Sequence, residues 1–191
     1  RDVARAAQLT TGAVTHYFDS KDEVLVAALE EVVQSTLARA RKGTAASQAA
    51  SVDDFIARMS AYIPVNEAGR REWRVWLAFW GRAIADPAMR QMHQNYYRAF
   101  VNLLTMSLLA LGDPSGETSR KSTRQDQKIN TAKEAKAQQC ADAVIAAIDG
   151  IGTRATLDPD IWNADRQRQT LDLLLRPLLL SFLQEGAVSP D

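Results

Sequence analysis

The chain has 191 residues, of which 46% are hydrophobic, and its 23 basic and 23 acidic residues leave no net charge at pH 7. This length allows one or two domains with a sizeable core, and the even charge balance excludes a strong attraction of the whole surface to DNA or to an anionic membrane. The single cysteine, Cys140, excludes a disulfide within the chain and indicates a cytoplasmic protein. The most apolar run, residues 171–183, is too short to span a bilayer, so no membrane partner is predicted.

The N-terminal segment is predicted to form two short helices joined by a tight turn. Its small apolar core is predicted to consist of Val3, Ala6, Ala7, Leu9, Val14, Tyr17 and Phe18. The second helix carries an uncharged surface of small and hydrogen-bonding groups, formed by Thr10, Thr11, Gly12, Ala13, Thr15 and His16. Threonine hydroxyls can bond to base edges, and methyl groups can contact thymine. We therefore predict that this surface enters a DNA major groove.

A long helix follows directly and begins with a capping box, in which Ser20 is the N-cap and Glu23 is the third helical residue. Lys21 opposes the helix dipole at this end, so a DNA phosphate is its predicted partner. The alternative is that Lys21 is a solvated surface charge. The apolar stripe of this helix ends near Gly43, and residues 44–50 are predicted as a linker.

Helical periodicity continues through the rest of the chain, and no strand-like alternation persists. Ser51 opens one helix, which stops at Pro64, and Asp86-Pro87 opens another. Residues 113–130 are predicted to form a mobile loop, and the polar residues after them to extend a helix that reaches Leu157. The small residues of that helix permit close approach of a neighbouring helix.

The last helix, about residues 163–185, has leucines all around its axis. A helix that is apolar on every side must be buried on every side. A partner subunit is the simplest cover, with the last two helices of two copies forming a four-helix bundle. The predicted interface consists of Ile148, Leu171, Leu174, Leu175, Leu178 and Phe182. The alternative is burial of the last helix in the core of its own chain.

Several segments resemble known bacterial regulators. DVARAAQLTTG at 2–12, THYF at 15–18 and SKDEVL at 20–25 resemble the TetR family of repressors, and the segments at 73–89 and 141–160 resemble its BetI-type branch. The resemblance implies that Tyr17 and Lys21 bind phosphates. It also implies that a helix found in family members before this point is missing from a sequence that begins at Arg1.

The same resemblance implies the fold class and the domain organisation. We expect an all-α protein, with a helix-turn-helix of the tri-helical DNA-binding type and its connecting helix at 1–43, and an effector-binding and dimerisation domain at 44–191. The expected function is a ligand-responsive repressor that binds a near-palindromic operator as a dimer and leaves it when an effector binds. No cofactor and no metal are expected.

An effector pocket between the central helices is also implied. The candidates to line it are Tyr62, Trp76, Trp80, His93, Tyr96, Phe100 and Asp149. An aromatic cage with one carboxylate suits a cationic ligand, although a hydrophobic or aromatic effector fits equally well, and the aromatic residues could instead be ordinary core. The sequence has two histidines and no catalytic constellation, so an enzyme is not predicted. A helical enzyme, or a ligand-binding dimer without DNA binding, is the alternative.

Overall fold

The computed structural model describes residues 4–5, 8, 10–46, 51–112 and 124–187. Every regular element in these residues is helical, which confirms the all-α prediction. A single 3-10 turn, Ser60–Tyr62, interrupts the α-helices. The helices are α1 Thr11–Tyr17, α2 Lys21–Ala46, α3 Val52–Met59, α4 Glu67–Ala83, α5 Pro87–Gly112, α6 Arg124–Leu157 and α7 Ala164–Ala187.

Side chains just before the helices accept hydrogen bonds from the free amides of the first turn, as expected for N-caps. Ser51 Oγ accepts from the amide of Asp54 at 3.1 Å before α3. Asn66 caps α4 in the same way, and Asp86 Oδ1 accepts from the amide of Ala88 at 2.8 Å before α5. The helix starts predicted at Ser51 and Asp86 are therefore confirmed.

Two hydrophobic clusters hold the helices together. The larger lies between α3, α4, α5, α6 and α7, and the smaller lies where α2 packs against α4 and the start of α5. Leu29 and Phe79 are fully buried at the centre of the smaller cluster. The helix α2 also runs past the predicted start of the linker, through Ala46. Residues 44–46 of the predicted linker therefore belong to α2, and residues 47–50 lie outside the described part.

Four of the predicted dimer contacts prove to be core residues of a single chain. The side chains of Ile148, Leu171, Leu175 and Phe182 are at most 5% exposed, because one face of α7 packs on α6 and the rest of the larger cluster. Because their own chain already buries these four side chains, little of their surface remains for a partner, and their place in the interface stays a prediction. Leu178 is half-buried against the same cluster. The exposed large apolar residues near this end are Leu157, Ile161, Leu173, Leu174 and Leu180.

The polar segment before α6 is partly helical. Because α6 begins at Arg124, residues 124–130 of the predicted mobile loop belong to the helix, and residues 113–123 lie outside the described part. Further along, a Cβ added at Gly152 would lie 2.1 Å from the Trp73 ring, so the predicted close approach of a neighbouring helix is confirmed there. No helix in the described ranges combines the length and the apolar character needed to cross a membrane.

Candidate functional site

The uncharged surface predicted on α1 is exposed. Thr10, Thr11, Gly12, Thr15 and His16 are open to solvent, and Ala13 is half-buried. Thr10 Oγ1 accepts a hydrogen bond from the amide of Ala13 at 3.1 Å and so caps the helix. Thr15 Oγ1 lies 3.2 Å from the carbonyl oxygens of both Thr11 and Gly12, which leaves its oxygen as an acceptor and its methyl for contacts outside the helix.

Tyr17 is not a core residue. Its side chain is 76% exposed, which corrects its placement in the predicted apolar core. Of the other predicted core residues, Val14 and Phe18 are half-buried, and Val3, Ala6, Ala7 and Leu9 lie outside the described part. Tyr17 ends α1 and Lys21 begins α2, and both are exposed. An exposed phenol and an exposed ammonium at this corner suit contact with the DNA backbone.

The corner between α1 and α2 is held by local hydrogen bonds. The amide of Glu23 donates to Ser20 Oγ at 3.1 Å, and Glu23 Oε2 accepts from the amide of Asp19 at 2.8 Å. This is the predicted capping box, with its return bond one residue earlier than usual. Before α1, Gln8 forms the turn with a φ of 56°, a left-handed backbone conformation that residues other than glycine rarely adopt.

A cavity of about 60 Å³ lies between α2, the 3-10 turn, α4, α5 and α6. It is the first candidate for an effector site. Six of the seven predicted pocket residues line it, namely Tyr62, Trp76, Trp80, Tyr96, Phe100 and Asp149. The seventh, His93, lines an adjoining cleft of about 370 Å³. The structure thus brings the predicted residues together, although it distributes them over two neighbouring spaces.

A carboxylate paired with a phenol forms one end of the cavity. Tyr97 Oη donates a hydrogen bond to Asp149 Oδ2 at 2.9 Å. Burial raises the pKa of Asp149 to about 6, against the lowering effect of the hydrogen bond from Tyr97. The pKa of Tyr97 is raised by burial and then by the nearby carboxylate. Tyr97 was not among the predicted pocket residues, where the adjacent Tyr96 stood instead.

An ion pair between α2 and α4 forms another part of the wall. Arg39 Nη1 and Nη2 donate to the two carboxylate oxygens of Glu72 at 2.9 and 2.6 Å. The hydrogen bond to Glu72 is the largest cause of the raised pKa of Arg39. Neither Arg39 nor Glu72 was among the predicted pocket residues. The only signal was two opposite charges on predicted helices 33 residues apart, which occurs too often by chance to indicate a contact.

Three residues separate the cavity from the cleft, since Trp80, Tyr97 and Asp149 line both spaces. The His93 ring packs on the Tyr97 ring at 4.1 Å between centroids and meets the Trp80 ring edge-on at 6.4 Å. Trp80 Nε1 and His93 Nδ1 are buried, and neither finds a hydrogen-bond partner among the described residues. Burial lowers the pKa of His93, so the neutral imidazole is favoured. No cluster suited to a metal ion occurs in the described ranges.

Comparison with known proteins matches both parts of the chain. Residues 1–28 match the family of bacterial regulatory proteins of the tetR type, and residues 53–180 match the C-terminal domain of BetI-type transcriptional repressors. The chain is 29% identical over 184 residues to the HTH-type transcriptional regulator BetI of Burkholderia thailandensis, covering 92% of the chain and 82% of that protein. It is 28% identical over 162 residues to BetI of Paraburkholderia phymatum, with 84% and 72% covered.

A solved structure shows the same fold. A transcriptional regulator from Rhodococcus sp. Rha1 aligns over the whole chain and 87% of its own length, with 26% identity and a TM-score of 0.72. These relatives are named as transcriptional regulators, and none of these three names describes an enzyme.

Proposed function

Since the chain belongs to the TetR family of bacterial regulatory proteins, we propose that it represses transcription as a homodimer on a near-palindromic operator and leaves the operator when a small organic cation binds in its cavity. The observation that carries the DNA-binding half of this proposal is the exposed, uncharged surface of α1 beside Tyr17 and Lys21. No carboxylate lies on that helix to repel DNA.

In this proposal the α1 residues Thr11, Gly12, Thr15 and His16 face base edges, and Ala13 contacts a thymine methyl. Thr10 holds the start of the helix against the duplex. Tyr17 and Lys21 bind phosphates and fix the orientation of the helix without selecting sequence. We call α1, the turn before it and the start of α2 the head. One short helix contacts few base pairs, so specificity requires two copies of the head in successive major grooves, about 34–36 Å apart.

The second copy is proposed to pack on the exposed apolar face of α6 and α7. Leu173 is 74% exposed and Leu174 is 47% exposed, both on the side of α7 that its own chain leaves uncovered. Leu157 at the end of α6 and Ile161 in the connection to α7 are exposed apolar side chains as well. Burial of such a patch is the largest favourable contribution to association. Leu174 is therefore retained from the original interface prediction.

The cavity favours a cation over an anion. Of its two carboxylates, Glu72 is neutralised by Arg39, whereas Asp149 has only the hydroxyl of Tyr97 as its partner. The rings of Trp76, Trp80 and Tyr97 lie near Asp149 in the same wall and can attract a positive charge through their faces. An anionic aromatic effector would have to compete with Glu72 for Arg39.

The helix α2 is the proposed connection between effector and DNA. Its residues Val33, Thr36, Leu37 and Arg39 line the cavity, and its first residue is Lys21. A shift of α2 on effector binding would move the two heads apart. A coupling free energy of about 1–3 kcal/mol between the two sites gives useful control.

Fluorescence anisotropy of labelled DNA from the region flanking its own gene tests this function. We expect wild-type protein to bind one such duplex with a strong salt dependence. The combined change Thr15→Ala, His16→Ala and Lys21→Ala should lower the affinity by a factor of about 100 or more, from lost base and phosphate contacts. Undiminished binding by this triple variant would refute the assignment of α1.

A matched single variant separates a phosphate contact from a general charge effect. Lys21→Ala should lower the slope of log affinity against log salt by about 1 for each head. Arg98→Ala removes one exposed positive charge from α5, away from the head, and should leave that slope unchanged. In parallel, a thermal-shift screen of amines against aromatic acids tests the effector class. Stabilisation by acids alone would contradict the cationic effector.

A further inference from the structure

The cavity between α2, α4, α5 and α6 is too small to be a complete effector site. Sites for small organic ligands usually have volumes of roughly 300–1,000 Å³, whereas the cavity has about 60 Å³, enough for a few water molecules. The adjoining cleft has about 370 Å³ and opens to solvent beside α4 and α5. The ligand-sized space therefore lies on the outer side of the wall that Trp80, Tyr97 and Asp149 form.

The cleft offers mainly apolar surface. Ala83 and Ile84 form one side of it, and Ile84 is 77% exposed. The guanidinium of Arg90 is the cation among the lining residues, and it is already engaged. Its Nε donates to the carbonyl oxygen of Ala83 at 3.3 Å, and its Nη2 donates to that of Ile84, so it caps the end of α4. The acid at the inner end of the cleft is Asp149.

Two buried ring nitrogens at the wall between the two spaces lack hydrogen-bond partners among the described residues. Trp80 Nε1 and His93 Nδ1 are both buried, and the described part of the chain offers neither of them a hydrogen-bond partner. A buried polar atom without a partner disfavours the arrangement that buries it. Displacing these rings would give both nitrogens access to water or ligand, so this wall is an easier place to open than a fully satisfied one.

Resting on the proposed function, we propose that the cleft is the outer half of the effector site and that it binds an uncharged apolar arm of an effector whose cationic centre sits at Asp149. The effector class is thereby narrowed to organic cations with an aromatic or branched alkyl substituent. Such a ligand enters from the cleft and displaces the rings of Trp80 and His93. Ile84 and Ala83 then select the size of the arm.

Two probes that share a cationic centre test this proposal by isothermal titration calorimetry. Tetramethylammonium has no arm, and benzyltrimethylammonium has an aromatic one. The wild-type dimer should bind benzyltrimethylammonium at least tenfold more tightly. Ile84→Trp fills the cleft from an exposed position, so it should lower that affinity at least tenfold and change the affinity for tetramethylammonium less than threefold. Met106→Trp adds the same bulk at another exposed position and should change neither.

Four results would overturn the proposal. Equal wild-type affinities for the two probes would show that the cleft binds no arm, and the cationic effector would still stand. Equal losses for both probes in Ile84→Trp would exclude selection by the cleft. Loss of the dimer in Ile84→Trp, measured by analytical ultracentrifugation, would show that a second copy covers the cleft. If wild-type protein binds neither probe, the cationic effector itself fails, and the outer site with it.

Discussion

The surface of α1 and the cavity are built on opposite principles. On α1 the hydrogen bonds are local, since Thr10 caps Ala13 and Thr15 bonds back to Thr11. The cavity depends on pairs from distant parts of the chain, such as Tyr97 with Asp149, 52 residues apart. The α1 surface is available to a partner because the hydrogen bonds that hold it are made within α1 and its N-cap. The cavity is available to a ligand because the carboxylate of Asp149 is hydrogen-bonded to Tyr97 alone among the described residues. The ring nitrogens of Trp80 in its wall and of His93 in the adjoining cleft have no partner among those residues.

The helices α2 and α4 join these two regions, and an ion pair holds them together at each end. Near the head, Arg82 of α4 contacts Asp22 in the first turn of α2, and at the cavity Glu72 contacts Arg39. The fully buried Leu29 and Phe79 pack between the two pairs. A change at the cavity can therefore reach the corner of Lys21 through a short, packed pair of helices.

The largest expected change in the free energy of unfolding comes from a substitution at Gly152, which packs on Trp73 of the cavity wall. Gly152→Ala would place a Cβ about 2.1 Å from a rigid indole ring whose Nε1 is bonded to the carbonyl oxygen of Tyr62. We expect the free energy of unfolding to fall by about 3 kcal/mol or more, at the upper end of overpacking. Urea denaturation measures it. Gly150→Ala is the matched control, because open space surrounds that position, and it should be neutral or stabilising by up to about 1 kcal/mol.

Asp149→Asn should stabilise the protein and weaken its binding of cations. The pKa of Asp149 is raised from 3.8 to about 6 by burial, so its ionised form destabilises the fold above pH 6, and this cost is absent below pH 3.8. At about 1.4 kcal/mol per pKa unit, the cost is at most about 3 kcal/mol, and we expect about 2 kcal/mol of stabilisation at pH 7.5 by urea denaturation. The gain should shrink by about half at pH 5.

The same carboxylate sets the pH dependence of ligand binding. A cation binds the ionised form of Asp149, so the affinity of wild-type protein for benzyltrimethylammonium should fall about tenfold for each pH unit below 6. Calorimetric titrations at pH 5 and pH 7.5 measure this change. In Asp149→Asn the affinity should be low and independent of pH over this range. An unchanged wild-type affinity at pH 5 would show that Asp149 is not the cation's partner.

The two ion pairs between α2 and α4 should differ in strength. Arg39 and Glu72 form a half-buried bidentate pair, with side chains 33% and 26% exposed, whereas Arg82 and Asp22 are more exposed. A double-mutant cycle with Arg39→Met and Glu72→Gln should give a coupling of about 1 kcal/mol, and the cycle with Arg82→Met and Asp22→Asn about 0.3 kcal/mol. Urea denaturation at 0.1 M salt measures both. A stronger pair at the head would contradict the contrast between the two regions.

Features that depend on neighbouring residues could be predicted from the sequence, whereas contacts between distant residues could not. The cap at Thr10, the box from Ser20 to Glu23 and the exposed face of α1 depend on residues within four positions of each other, so a linear pattern contains them. The resemblance to BetI-type regulators implied the pocket, and six of the aromatic and acidic residues chosen for it line the cavity. Helical periodicity only placed such residues on helices. It could not distinguish Tyr96 from Tyr97, because both sides of α5 at this level face other helices.

Contacts between helices were the part that the sequence could not specify. The leucines of α7 surround its axis, and the pattern does not tell which face its own chain covers. Leu171 and Leu175 are buried against α6, while Leu173 is exposed. Likewise, the pairing of Arg39 with Glu72 depends on how α2 crosses α4. Tertiary packing determines which helix faces are buried and which charges pair, and the pattern of a single sequence does not specify this.

A small effect is also expected at the turn before α1. Gln8 adopts a φ of 56° and its amide donates to the carbonyl oxygen of Arg5 at 3.1 Å. Glycine adopts this conformation without the steric cost of a Cβ, although it loses more backbone entropy on folding. Gln8→Gly should therefore stabilise the head by about 0.5 kcal/mol and raise operator affinity no more than about twofold, since Gln8 precedes the helix proposed to contact bases. Amide hydrogen exchange of α1 measures the local stability. Gln8→Ala keeps the Cβ and should give no gain, whereas equal gains in both variants would show that backbone strain at this turn is not the cause.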